Sequence, residues 1–193
     1  MEPKWRACVA WQNSIFRRIY LWYTKSSIMA MYFCHMKNRI HHFLNLAVEE
    51  SIKGMNAGNG GPFGCVVVKG DEIIGRGHNC VIANNDPTAH AEVEAIRRAC
   101  ERLGSHQLEE CEIFCSCEPC PMCLGAIYWA RPAKIYFANT KEQAAAIGFD
   151  DAFIYREVNV HFSSRTVPTE HVPMEEALRA FEAWKAKTDK INY

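Results

Sequence analysis

The chain has 193 residues, 49% of them hydrophobic, with 22 basic and 22 acidic side chains. That length and apolar fraction suit one core-forming domain with an appendage, and they exclude a disordered or fibrous chain. Charge is unevenly placed: residues 1–35 hold five bases and one acid, and the remainder holds 17 bases and 21 acids, a net of −4 that argues against a surface gripping nucleic-acid phosphates.

Residues 1–35 contain three of the five tryptophans and no sustained helical or alternating period. They read as a basic appendage, either disordered or lying upstream of a true start at Met36, with a single domain over residues 36–193. Ile40, Phe43, Leu44, Ala47, Val48 and Ile52 then share one face of a helix ending at Gly54. A Gly-rich loop over residues 56–61 leads into an apolar strand at 65–68, which Gly70-Asp71 turns back into a strand at 72–78. Turn residues at 84–87 precede a helix capped by Thr88, with Val93, Ile96 and Ala99 on its inner face. A strand at 111–116, a helix at 120–130 and a strand at 133–138 follow, then helices at 141–147 and 175–187, the last with Leu178, Phe181 and Trp184 on one face. This alternation predicts a three-layer α/β sandwich. No apolar run of 18 residues is free of charge, so no membrane span is expected.

Ten cysteines without a recognisable signal peptide point to a reduced, cytoplasmic setting. Cys115, Cys117, Cys120 and Cys123 fall within nine residues, a spacing that suggests metal more than disulfides. Two motifs stand at predicted helix starts: Thr88-Ala89-His90-Ala91-Glu92 and Cys117-Glu118-Pro119-Cys120-Pro121-Met122-Cys123. His90, Cys120 and Cys123 are three ligands of the kind zinc takes when it keeps a fourth position for water. Pro121 suits the first turn of a helix, and the positive end of that helix favours thiolates. Glu92 is too close in sequence to His90 to be a natural fourth ligand and is well placed as a proton shuttle, an arrangement that describes the zinc deaminases. A structural zinc knuckle with Cys115 or Cys117 as its fourth ligand is the alternative. Cys65, Cys80, Cys100, Cys111 and Cys115 are expected as core thiols.

With both motifs quoted, residues 38–193 resemble the bacterial guanine deaminases of the cytidine deaminase-like superfamily. The resemblance rests on Gly60-Gly61-Pro62-Phe63-Gly64, on Asn85 through Glu92, on Cys117 through Arg131, on Gly148-Phe149-Asp150-Asp151, and on the terminal Tyr193. It implies a three-layer α/β/α sandwich with a mixed central sheet, one Zn2+ per subunit, and hydrolysis of guanine to xanthine and ammonia. It also implies that Phe63 stacks on the base, Asn79 hydrogen-bonds it, Ala91 contributes a backbone N–H, Asp151 holds a ring N–H and Trp129 lines the pocket. A homodimer is implied as well, with C-terminal segments exchanged so that Tyr193 closes over the partner's site. The residues alone leave plainer readings open: Phe63 and Trp129 as core, Asn79 as a turn residue, Asp151 as a helix cap. A tRNA adenosine deaminase, or another base or nucleoside deaminase, is the alternative activity, and a non-enzymatic zinc module the third reading.

Overall fold

The apolar face predicted between Ile40 and Ile52 belongs to a much longer helix. In the computed structural model, which describes residues 15–191 and the side chains of residues 29–191, α1 runs over Ile15–Asn56 and so continues upstream of Met36. Its buried positions are Phe43, Ala47, Glu50, Ser51 and Gly54, whereas Ile52 is exposed. The chain divides into two compact units, Met1–His42 and Phe43–Tyr193, and the second holds the sheet and the chemistry-bearing motifs. No helix among the described residues is long and apolar enough to cross a membrane.

Four strands form one mixed sheet in the order β2-β1-β3-β4. β1 (Gly64–Lys69) pairs antiparallel with β2 (Glu72–His78) on one side and with β3 (Cys111–Cys117) on the other, and β3 runs parallel to β4 (Lys134–Asn139). The hairpin turns at Gly70, whose φ of 61° lies in the left-handed region that glycine adopts without strain. Its register shifts between Val67 and Val68, leaving Ile74 as the extra residue of a bulge. Val66, Val67 and Val68 are all fully buried, as expected of a strand covered on both faces.

One face of the sheet packs Cys65, Val67, Ile113 and Cys115 against Ala91, Ala95 and Ala99 of α3 (Ala91–Leu103) and Ile127 and Ala130 of α4 (Pro121–Ala130). The other presents Phe114, whose ring lies 5.1 Å from that of Phe43 on α1. Helices therefore cover both faces of a mixed sheet, the three-layer arrangement anticipated from the sequence. Small residues decide how closely α3 approaches. A Cβ on Gly77 of β2 would lie 2.2 Å from the Ala91 carbonyl oxygen, so the first turn of α3 rests directly on the strand. That close seat fixes the height of the segment bearing His90 and Glu92.

Two short helices lie where no periodic pattern was read, α2 (Val81–Asn84) and α6 (Ala152–Asn159). Between them in sequence, α5 (Lys141–Ala145) starts with a capping box made by Thr140 and Gln143. The last helix, α7 (Glu175–Ala186), buries none of its residues, and its stripe of Leu178, Phe181 and Trp184 faces solvent in the single chain.

Candidate active site

Two helix starts meet beside the sheet. Thr88 does not cap α3: its N–H and its hydroxyl both donate to Asp86 Oδ1 at 2.7 Å, which braces the Asp86-Pro87 turn. The N-cap position belongs to His90, which has extended backbone (φ −73°, ψ 158°) and makes no side-chain cap hydrogen bond. Cys120 holds the equivalent position on α4 (φ −64°, ψ 168°), again without a side-chain cap bond, and Pro121 opens the helix after it. Freed from capping, the two side chains turn toward each other. His90 Nδ1 lies 3.6 Å from Cys120 Sγ and 3.4 Å from Cys123 Sγ.

Those separations fit a metal. Zinc–sulfur bonds of about 2.3 Å and zinc–nitrogen bonds of about 2.0 Å at a tetrahedral angle place sulfur and nitrogen about 3.5 Å apart. All three ligand atoms lie within 4.8 Å of one another, and no other group of three or more such side chains converges among the described residues. A soft, mixed nitrogen–sulfur set of three suits zinc with an open position. Neither candidate for a fourth ligand joins it: Cys117 Sγ turns to the Thr140 carbonyl oxygen at 3.6 Å, and Cys115 Sγ faces Cys65 Sγ at 3.9 Å inside the core. Cys65, Cys80, Cys111 and Cys115 are buried thiols, and Cys100 is half-buried.

The three groups share protons unequally. The Cys120 thiol is pulled down to about 4, first by its hydrogen bond with Cys123 and then, against the opposing effect of burial, by His90. Cys123 shifts upward for the same reason, and hydrogen bonding to Cys120 raises His90. Glu92 is buried at 8% exposure, and burial pushes its carboxyl upward, toward the range useful to a group that must both take and give a proton. Its Oε2 lies 3.3 Å from Cys123 Sγ, beside the ligand cluster.

A cavity of about 640 Å³ opens onto this cluster. Its lining includes His90, Glu92 and Cys120 at one end, together with Phe63, Asn79 and Asp151. Phe63 is held edge-on to Phe149, at 4.9 Å between ring centroids and 89° between planes. Asn79 is 5% exposed; its Oδ1 accepts the Val81 N–H at 3.2 Å, so it starts the turn into α2 while also lining the cavity. Asp151 precedes α6 but makes no cap bond. Asp150 does that work, accepting the Ala152 N–H at 2.9 Å, and burial pushes the Asp151 carboxyl upward. Ala91 is fully buried at the first position of α3, where backbone N–H groups have no intrahelical acceptor.

One residue anticipated at the pocket does not line it in the single chain, and another lies outside the described residues. Trp129, on α4, is 66% exposed and lines a separate cavity with Trp184 and Ile191. Tyr193 lies outside the described residues. Conversely, Phe149, Ile154, Val81 and Ile82 line the cavity without having been singled out. Phe149 adjoins the Asp150-Asp151 pair and was visible only as part of that stretch.

Residues 37–139 match the cytidine and deoxycytidylate deaminase zinc-binding region. The chain belongs to the cytidine and deoxycytidylate deaminase family. Within it, this deaminase is 52% identical over 151 residues to the guanine deaminase of Bacillus subtilis, covering 78% of this chain and 97% of that protein. A crystal structure of Bacillus subtilis guanine deaminase superimposes with a TM-score of 0.78, covering 79% of this chain and 98% of that one. The tRNA-specific adenosine deaminase of Aquifex aeolicus is 35% identical over 136 residues, covering 70% of this chain and 87% of its own length.

Proposed function

We propose that this deaminase hydrolyses guanine to xanthine and ammonia. The observation that carries the reading is a single cavity lined by an aromatic ring, a carboxamide, a carboxylate and the buried Glu92 beside the His90, Cys120 and Cys123 cluster. Zinc held by those three ligands supplies the Lewis acidity that makes water nucleophilic at neutral pH. The chain's own groups do the rest. Phe63 offers a flat face to the base. With its Oδ1 engaged by Val81, Asn79 has its NH2 to offer an acceptor, and Asp151 can only accept from a ring N–H while ionised. Guanine presents that combination, carrying N1–H next to the carbon that bears its amine and O6 beyond. Glu92 takes one proton from the attacking water and delivers it to a ring nitrogen, then carries the second proton from the added hydroxyl to the departing amine as the C–N bond breaks, so that water and guanine yield xanthine and ammonia.

Adenine is the poorer partner for this pocket, because its N1 carries a lone pair where Asp151 would need a proton. Ammonia release from guanine, guanosine, adenine, cytosine and tRNA wobble adenosine tests the reading directly. Turnover of guanine ahead of the others is expected; preference for tRNA would establish the adenosine editor instead. Asp151→Asn should lower kcat/KM for guanine about 5- to 150-fold, the equivalent of the roughly 1–3 kcal/mol lost with a buried hydrogen-bond partner, while zinc content is unchanged. Parallel loss of zinc and activity would assign Asp151 to structure.

We further infer that the working form is a homodimer. Tyr128 and Trp129 on α4 and Leu178, Phe181 and Trp184 on α7 are large apolar side chains exposed in the single chain, of the kind a second copy covers. An exchanged C-terminal segment would cover such residues and carry Tyr193 to the partner's cavity. Deleting residues 192–193 should leave zinc and dimerisation intact and sharply reduce turnover; a fully active truncated chain, or a fully active monomer in sedimentation, would refute the lid.

A further inference from the structure

The strand that delivers Asn79 to the cavity ends in His78, a histidine outside the zinc cluster whose side chain is 12% exposed. Both of its ring nitrogens are engaged. His78 Nδ1 lies 3.5 Å from Oε2 of Glu50, a buried carboxylate on α1 whose charge is offset by Arg76 at 3.5 Å and Lys53 at 3.9 Å. His78 Nε2 lies 2.9 Å from Asn59 Nδ2. The Asn59 carboxamide and the Glu50 carboxylate thus hold the imidazole from its two sides.

Asn59 belongs to the loop that walls the cavity. Its carbonyl oxygen accepts the N–H groups of Ile82 and Ala83, both at 3.1 Å, tying that loop to α2. The next residue, Gly60, lies directly against the Asn79 carboxamide: a Cβ there would stand 2.0 Å from Asn79 Oδ1. Asn79 N–H in turn donates to the Phe63 carbonyl oxygen at 3.0 Å. The two side chains assigned to the base therefore hang on a loop that His78 holds from behind.

We propose that His78 is a positioning residue for the base pocket: clamped between Glu50 and Asn59, it fixes residues 59–63 against Asn79 and so sets the direction in which the Asn79 carboxamide meets the substrate. His78 touches no reacting atom. Its effect is on how well the base is held, and it passes through Asn59. This inference rests on the guanine reading above.

The test uses two substitutions. His78→Phe keeps a flat ring and removes both nitrogens; Asn59→Ala removes the other end of the link and leaves the strand untouched. Each variant and their combination are built into the Glu92→Gln chain, which holds guanine without turning it over, and guanine binding is measured by equilibrium dialysis alongside zinc content. Each single change should weaken guanine binding about 5- to 10-fold, the worth of one well-placed hydrogen bond, and the pair should cost no more than the larger single effect. In the chain with Glu92 restored, KM rises correspondingly while kcat stays within about threefold, a split that a general loss of folded protein does not produce. Unchanged guanine affinity, additive losses, or zinc loss in step with affinity would each overturn the clamp. If His78→Phe fails to fold, Asn59→Ala alone decides, since unchanged affinity there removes the link. Guanine that fails to bind the Glu92→Gln chain with His78 and Asn59 intact overturns the guanine reading and the clamp that rests on it, whereas binding that survives His78→Phe undiminished overturns the clamp alone.

Discussion

Glu92→Gln is expected to keep the fold and the zinc and to lose turnover by about 100- to 10,000-fold, the usual contribution of a positioned acid–base group. The substitution preserves shape and volume, so α3 keeps its seat on Gly77. An amide neither accepts the proton of water nor hands one to a leaving amine. Glu92 touches the ligand cluster only at 3.3 Å from Cys123 Sγ, outside the three ligand atoms, so metal content should stay near one per chain. Ammonia release and metal analysis on the same sample check both halves. Near-normal turnover would remove Glu92 from the mechanism, and loss of zinc would move it into the ligand set.

Removing zinc is expected to abolish turnover further than Glu92→Gln does, by more than about 10,000-fold, because unactivated water is a far weaker nucleophile at neutral pH. Replacing Cys123 by Ser should do the same irreversibly, whereas a chelator should do so reversibly, with zinc restoring the rate. Stability reports independently. Any ligand bound only by the folded chain adds RT ln(1 + [L]/Kd), about 4 kcal/mol at a thousandfold excess over Kd, so the melting temperature should rise with free zinc. A chelated chain that still turned over guanine, or a melting temperature indifferent to zinc, would contradict the three-ligand site.

How much of this was legible in the sequence depended on what kind of signal each residue carried. His90, Glu92, Cys120 and Cys123 stand in short motifs whose spacing is itself the geometry of a ligand set at two helix starts. The strands read well because Cys65 through Val68 is an apolar run bounded by turns and Cys111 through Ser116 centres on Ile113, Phe114 and Cys115. The helix cap did not: Thr88 carries the stronger cap propensity, but Asp86 engages it and the cap position falls to His90. α2 and α6, four and eight residues long, are too short to show a period. The upstream extension of α1 to Ile15 falls in a stretch of sequence with no sustained helical period, so no pattern announced it. Trp129 was placed in the pocket by resemblance, and in the single chain its side of α4 is open to solvent. His78 gave no signal at all, since its meaning lies in Glu50 and Asn59, 28 and 19 residues away in sequence and brought to it only by the fold.

His90 and Cys120 occupy the place where helices ordinarily carry Ser, Thr, Asp or Asn, whose oxygens satisfy exposed N–H groups and are worth about 1 kcal/mol per helix. Neither side chain does that here. The first turns of α3 and α4 therefore begin with a deficit that the rest of the fold must carry, and both point their positive ends at one spot. A cation that gathers thiolates there brings anionic sulfur to the start of α4 and locks the imidazole at the start of α3. Held there, the metal would serve as a cap shared by two helices, tying the start of α3 to the start of α4 through His90, Cys120 and Cys123.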